Sequence, residues 1–315
     1  MLFKNGIDLY NELSKFLNLA TDVVILSPYI KLETLKLLID SNNPLKAVVV
    51  RWEPKDIIQG SSDLEVYTYL KSKGIPLFRN PRLHLKAYVD NYSRCFLTSA
   101  NISARALNIP NYSNYNYEIG TVVENLEIND RLYFSSIINE SILITDQIYT
   151  QIKNQLEEII ENNNDDLDFS LVIEAPDKDF LISSLPMSFD VEVLYEVYSS
   201  MHADNDVDLN CAIHDITLYN LPLGLNYSDF KSKLAEAFFN QKFIKRFLEN
   251  IDEAGYIFFG PAKRFIQSNC TDVPIPRMWE ITNNIQILYR WIEALGNGKY
   301  EIDRPNYSER LRYIG

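Results

Sequence analysis

Two short apolar runs about a polar turn constrain this chain's fold more than any other stretch. They are Leu83 to Asp90 (LHLKAYVD) and Arg94 to Ser99 (RCFLTS), separated by Asn91-Tyr92-Ser93. Runs of this length and composition, broken by Asn and Ser, pair as an antiparallel hairpin. Upstream, Val23 to Ser27 (VVILS) and Lys46 to Arg51 (KAVVVR) read as short buried strands. Helices are expected over Lys31 to Leu38 and, opened by a capping box at Ser62-Asp63-Leu64-Glu65, up to about Ser72. Ile75 to Phe78 and Tyr117 to Val123 supply further strands. A hairpin set into a strand–helix alternation predicts an α/β domain: a layered mixed sheet flanked by helices.

Farther along, Ile128 to Ile160 reads as two helices and the polar run Glu161 to Asp166 as a surface link. Phe169 to Ile173 is the expected last strand of a first domain spanning 1–175. A second domain, 176–315, is mainly helical, with candidate helices at Val191–Ser200, Asp229–Asn240, Lys242–Ile251, Pro261–Ser268 and Trp279–Leu295. Its end, GKYEIDRPNYSERLRYIG, reads as a hairpin turning at Pro305-Asn306. Helices followed by a basic hairpin make this domain a candidate winged helix.

The chemistry concentrates on the hairpin. Strand alternation sets His84, Lys86 and Tyr88 on one face and Leu85, Ala87 and Val89 on the other, with the imidazole and ammonium about 7 Å apart. The second run ends in Ser99-Ala100-Asn101, a hydroxyl and a carboxamide able to donate to phosphoryl oxygens. Glu118 follows, placed to hold the imidazole by its second nitrogen. An isolated His-x-Lys is equally a pair of surface residues; the added hydroxyl, amide and carboxylate favour a site. Such a set suits a phosphodiester, with Lys neutralising its oxygens while His attacks phosphorus or moves a proton.

These residues resemble the phospholipase D superfamily, whose signature is HxKxxxxD followed after about six residues by GSxxN or GSxN. Here it stands as HLKAYVDNYSRCFLTSAN, with Asp90 one residue early and Thr98 in place of Gly. The stretch Asn116-Tyr117-Glu118-Ile119-Gly120 is similar to the family's supporting carboxylate segment, and the resemblance covers roughly residues 1–175. It implies a phospholipase D-like fold and a metal-free mechanism using two histidines, with no cofactor. One forms a phosphohistidine and the other protonates the leaving oxygen. Neither His202 nor His214 begins a second motif, so the resemblance implies a homodimer sharing His84 from each subunit. Lys86, Ser99 and Asn101 would bind phosphate, and Glu118 would orient His84.

Single-motif members are similar to two groups, small nonspecific nucleases and metal-independent restriction endonucleases with an added DNA-recognition domain, and the extra C-terminal half favours the second. The implied activity is therefore a DNA endonuclease of a restriction or phage-defence kind, with a separate ATPase or helicase as a conceivable partner. The alternatives are a phospholipid hydrolase and a non-catalytic nucleic-acid-binding module.

Net charge is −13, against general coating of nucleic acid, but the deficit sits mainly in residues 121–185 while the motif segment is mildly basic. Candidate DNA contacts in the second domain are Lys242, Lys245, Arg246, Lys263 and Arg264, interleaved with Phe243, Phe258, Phe259 and Phe265. Two amphipathic helices with Phe inward explain the same pattern, and that reading is preferred. Arg304, Arg310 and Arg312 fit either a wing or a charged sheet edge. The run His202 to Asp208 reads as a solvated acidic turn rather than a cation loop, since Leu209 and Asp215 stand where calcium loops need Gly and Glu.

No apolar run approaches the roughly 20 residues of a membrane span. The first residues lack a signal-peptide pattern, and three scattered cysteines suggest neither a disulfide framework nor a zinc site. A reducing cytoplasm is the expected compartment. No Walker-type loop or GxSxG elbow occurs.

Overall fold

A computed structural model of the chain describes residues 1–39, 45–109, 114–161, 171–173, 180–272 and 275–315. The chain divides into two compact units, Met1–Pro176 and Asp177–Gly315.

The first unit opens with β1 (Phe3–Lys4), α1 (Leu9–Leu19), β2 (Val23–Leu26), α2 (Leu32–Leu38) and β3 (Leu45–Val50). It continues through α3 (Pro54–Ile58), α4 (Val66–Ser72), β4 (Leu77–Arg79) and the hairpin of β5 (Ala87–Asp90) and β6 (Arg94–Thr98). Then come α5 (Ala104–Leu107), β7 (Ile119–Val123), α6 (Ile128–Asn139), β8 (Ile142–Leu143) and α7 (Asp146–Glu161). The eight strands form one mixed sheet in the order β1-β7-β6-β5-β2-β3-β4-β8. β2, β3 and β4 run parallel, while β5 lies antiparallel to β2 and begins the β5–β6–β7 meander. The layered mixed α/β sheet expected from the strand order is what forms.

Both faces of this sheet are buried. Val23, Ile25, Val48, Val50, Tyr88 and Phe96 join Leu9, Leu13 and Phe16 of α1 in one core. Val24, Leu26, Val49, Ala87, Val89 and Cys95 on the opposite face are buried as well. This corrects the alternation read for the motif strand. Tyr88, assigned to a polar face with His84 and Lys86, is 1% exposed. The strand begins only at Ala87, because the Asn80 side chain accepts from Arg82 N–H and its carbonyl from Leu83 N–H, turning the chain first. His84 and Lys86 therefore sit on the lead-in to the strand.

Two other readings change. Ser62 and Asp63 do not cap α4; the Ser62 hydroxyl accepts from Ile30 N–H at 3.2 Å and Asp63 from Leu32 N–H at 2.7 Å, closing the start of α2. A reciprocal capping box is formed instead by Glu53 and Asp56 on α3. The strand expected at Phe169 to Ile173 is absent from 171–173, with 169 and 170 outside the described residues. There the Gln155 carboxamide satisfies Val172 on both sides, at 3.0 and 2.8 Å, as a strand neighbour would. The link at 162–166 also lies outside the described residues.

The second unit is helical through α8 (Val191–Ser200), α9 (Asp206–Leu218), α10 (Tyr227–Asn240) and α11 (Lys242–Ala254). It ends in β9 (Tyr256–Phe258), α12 (Phe259–Asn269), α13 (Thr282–Leu295), β10 (Tyr300–Asp303) and β11 (Arg310–Tyr313). The supposed acidic turn is the start of α9, whose Asn205 side chain accepts from Asp208 N–H. Those carboxylates occupy the first turn, where a helix favours negative charge. β9, unnoticed in the sequence, joins the terminal hairpin in the order β10-β11-β9. The succession α11-β9-α12-α13-β10-β11, with β11 between the other strands, is a winged-helix arrangement. Among the described residues no helix is long and apolar enough to cross a membrane.

Candidate active site

The sheet's directions bring the motif residues to one edge. Parallel β2, β3 and β4 end there, β5 starts there, β6 ends there and β7 starts there. Carboxyl ends of parallel strands are where open α/β sheets present ligand-binding groups. Lys86 precedes β5, Ser99 and Asn101 follow β6, and Glu118 precedes β7.

His84 is exposed on the approach to β5. The Lys86 ammonium donates to the His84 carbonyl at 2.9 Å, tying the two motif residues into one loop. Partial burial depresses the Lys86 pKa; the Glu118 carboxylate opposes that shift and the Arg51 guanidinium adds to it. The Thr98 N–H donates to the Lys86 carbonyl at 3.1 Å, extending the hairpin pairing to the motif.

Ser99 meets Glu118 directly: its hydroxyl donates to one carboxylate oxygen and accepts from Ile119 N–H at 3.1 Å. Asn116 Nδ2 reaches the other carboxylate oxygen at 3.4 Å. The hydrogen bonds of Glu118 thus go to Ser99 and Asn116, not to the imidazole it was expected to orient. Thr98, standing where the resembled signature has Gly, donates to the Ile119 carbonyl at 2.8 Å and accepts from Ala100 N–H at 3.0 Å. Its hydroxyl closes the end of β6 with bonds glycine cannot make. Asn101 lies where Ile102 bridges to Ile30, and its buried Oδ1 has no hydrogen-bond partner among the described residues.

Asp90, out of register with the signature, anchors the far end of the hairpin. Its carboxylate accepts from Thr21 N–H at 2.9 Å, Asp22 N–H at 3.1 Å and Arg94 Nε at 2.9 Å.

The sequence reading missed Arg51. It follows β3 at the same edge, and its guanidinium donates to both Asp56 oxygens, at 2.8 and 2.5 Å, and to the Tyr29 hydroxyl at 2.6 Å. The available signal was a charged residue ending the apolar run KAVVVR, since a buried parallel strand closing on Arg presents it at the ligand-bearing edge.

Of the other histidines, His202 is exposed and His214 is held between Asp215 and the Ser183 carbonyl in the second unit. The basic residues proposed there are mostly engaged. Arg310 pairs with Asp303, Arg312 with Glu301 and Arg304 with Glu309. Lys263 donates to Thr282 at 2.6 Å and Lys245 to Asn240 at 3.2 Å. Phe243 and Phe247 are buried, as amphipathic helices require. Lys242 and Arg264 are exposed, and Arg264 lines a groove of about 440 Å³ between α11, β9 and α12. Arg246 has a buried Nε with no hydrogen-bond partner among the described residues. No cluster of three or more His, Cys, Asp or Glu able to hold a metal ion occurs among the described residues.

No protein-family model matches the chain, and no curated protein matches it. Solved structures do. NucT from Helicobacter pylori is 17% identical over 46% of this chain and 98% of its own, with a TM-score of 0.36. The phospholipase D family member Nuc from Salmonella typhimurium is 14% identical over 46% of this chain and 99% of its own, at 0.34. Phosphatidylserine synthase from Haemophilus influenzae is 14% identical over 56% of this chain and 47% of its own, at 0.38. In its motif, and in the mixed sheet whose edge carries it, this chain resembles the phospholipase D superfamily.

Proposed function

We propose that this protein is a phospholipase D-like phosphodiesterase that cleaves DNA as a homodimer without a metal. The observation carrying this reading is the convergence of His84, Lys86, Ser99, Asn101 and Glu118 on one edge of the sheet, from three separate strand ends.

In the reaction, an imidazole nitrogen of His84 attacks phosphorus, forming a P–N bond as the P–O bond to the leaving nucleotide breaks. The partner subunit's His84, protonated, gives its proton to that leaving oxygen. Water then adds to phosphorus, passing its proton to the partner's His84 while the P–N bond breaks. Lys86 neutralises the non-bridging oxygens, the Asn101 amide donates to them, and Glu118 holds Ser99 and favours the charged form of Lys86. The second unit contributes DNA contacts through its winged-helix arrangement. Lys242 and Arg264 are the foremost candidates there, with Arg246 beside them and Lys245, Lys263, Arg310 and Arg312 joining if their present partners yield to phosphate. A setting in restriction or phage defence fits this combination.

The test is incubation with plasmid DNA in EDTA, comparing the protein with His84→Ala. EDTA-resistant cleavage that falls about 10³-fold in the variant is expected. Cleavage retained by the variant overturns the role of His84. Hydrolysis of phospholipid vesicles in a parallel reaction, without DNA cleavage, overturns the substrate.

A further inference from the structure

The carboxyl edge of the first unit carries a second cation that the motif does not include. Arg51 directly follows β3, and Lys86 leads into β5; β2 lies between them, so their backbones are roughly 10 Å apart at two strand spacings. The Arg51 side chain is only 15% exposed. Asp56, itself buried, grips it by two hydrogen bonds, and the Tyr29 hydroxyl takes a third. The guanidinium also lies 4.9 Å from the centre of the Tyr29 ring. Three of its five N–H donors are thereby occupied, which fixes the plane of the guanidinium at small entropic cost and leaves Nη1 to meet a phosphate oxygen.

Tyr29 is part of the phosphate loop's own scaffold. Its carbonyl accepts from Ile102 N–H, Lys31 N–H donates to the Ile102 carbonyl, and Ile30 bridges Ile102. The anchor of Arg51 and the segment carrying Ser99 and Asn101 are therefore joined by backbone hydrogen bonds. Arg51 is also close enough to Lys86 for the two charges to repel, to the cost of the Lys86 ammonium.

We propose that Arg51, clamped by Asp56 and Tyr29 beside Lys86, holds the phosphate next to the scissile one, so that the site takes a polynucleotide rather than a diester with a single phosphate. The inference rests on the phosphodiesterase reading above and deepens it. Lys86, Ser99 and Asn101 surround the scissile group, whereas Arg51 is rooted two strands away. A polynucleotide offers another phosphate one nucleotide along; a simple diester or a phosphatidylcholine has none to offer. Arg51 is thus a specificity-determining residue, and a purely structural Arg51 would only brace α3 through Asp56.

The experiment measures EDTA-resistant cleavage of a labelled single-stranded oligonucleotide and of bis(p-nitrophenyl) phosphate. The proteins are the full chain, Arg51→Lys, Arg51→Gln and the double variant Arg51→Gln with Asp56→Asn. The double variant leaves no buried carboxylate unpaired, and urea unfolding checks each fold. Expected is a roughly tenfold loss of kcat/KM on the oligonucleotide, carried by KM and at least fivefold larger than the loss on the diester. Arg51→Lys should recover part of it. The alkaline limit of activity should also move to higher pH once Lys86 no longer faces a like charge.

Equal losses on both substrates, or losses that follow unfolding, overturn the proposal. Should the full chain cleave neither of these substrates nor plasmid DNA, the phosphodiesterase reading falls, and fluorescence anisotropy of the labelled oligonucleotide decides separately. Binding that depends on Arg51 then upholds the subsite, and binding absent or indifferent to Arg51 overturns it.

Discussion

Ser99 and Glu118 form one hydrogen-bonded unit across the ends of β6 and β7, the hydroxyl donating to the carboxylate. Because that hydroxyl also accepts from Ile119 N–H, Glu118 governs where the Ser99 oxygen stands and is close enough to Lys86 to favour its charged form. His84 is left exposed, its ring outside the Glu118 hydrogen bonds.

This arrangement sets the alkaline limit of activity. Burial places the Lys86 pKa below the ordinary 10.5, with Glu118 pulling it back up. Catalysis that needs the ammonium is complete below that pKa and is lost as pH rises through it. Glu118→Gln removes the opposing charge, so the alkaline limb should shift to lower pH. A pH profile of kcat/KM on an oligonucleotide checks the sign; a limb moving upward or staying fixed contradicts it.

Asp90 is expected to be structural. Its carboxylate is 5% exposed and serves two N–H donors in the turn before β2 and the Arg94 side chain on β6. Asp90→Ala removes the buried acceptor of the Thr21 and Asp22 N–H groups and leaves the half-buried Arg94 unpaired, and should cost about 3 kcal/mol. Urea unfolding followed by circular dichroism measures this. A loss under about 1 kcal/mol would show that water replaces the carboxylate.

Gly120 has no room for a side chain. A Cβ there would stand 2.6 Å from Leu9 Cδ1 and 2.7 Å from Phe96 Cε1, between α1 and the sheet. Gly120→Ala must displace the Leu9 and Phe96 side chains or lift β7, and with it Glu118, off the core. A destabilisation of about 1–3 kcal/mol is expected, together with reduced turnover; unchanged melting would rule out this packing.

In the second unit Asp215 is fully buried and accepts from Met187 N–H at 2.9 Å and Ser188 N–H at 2.7 Å, while contacting His214 Nδ1 at 2.9 Å. Asp215→Ala strands all three groups and should cost about 3–5 kcal/mol of that unit's stability. Hydrogen exchange of α8 and α9 should accelerate, while exchange in β2 and β3 stays at its original rate.

The hairpin at Asn91 to Ser93 was legible because both its signals are local. Asn91 and Tyr92 take the left-handed backbone, with φ of 48° and 50°, and apolar runs flank them. Helices α8, α10, α11 and α13 were legible for the same reason, since each buries a stripe set by its own spacing. α9 was not, because its acidic first turn reads as a loop until the Asn205 cap is seen. The capping box at Ser62 misled because its side chains serve α2, a neighbour distant in sequence.

The His-x-Lys and Ser-x-Asn residue types, and their spacing, are properties of the sequence alone, and they suffice to suggest phosphate chemistry. Which side chains face one another was decided by strand order. Placing β2 between β5 and β3 brings Arg51 and Tyr29 to the motif's edge, and pairing β6 with β7 gives Glu118 to Ser99. Those contacts join residues 19 or more positions apart, where periodicity carries no information and only the packing of the whole sheet selects the partner.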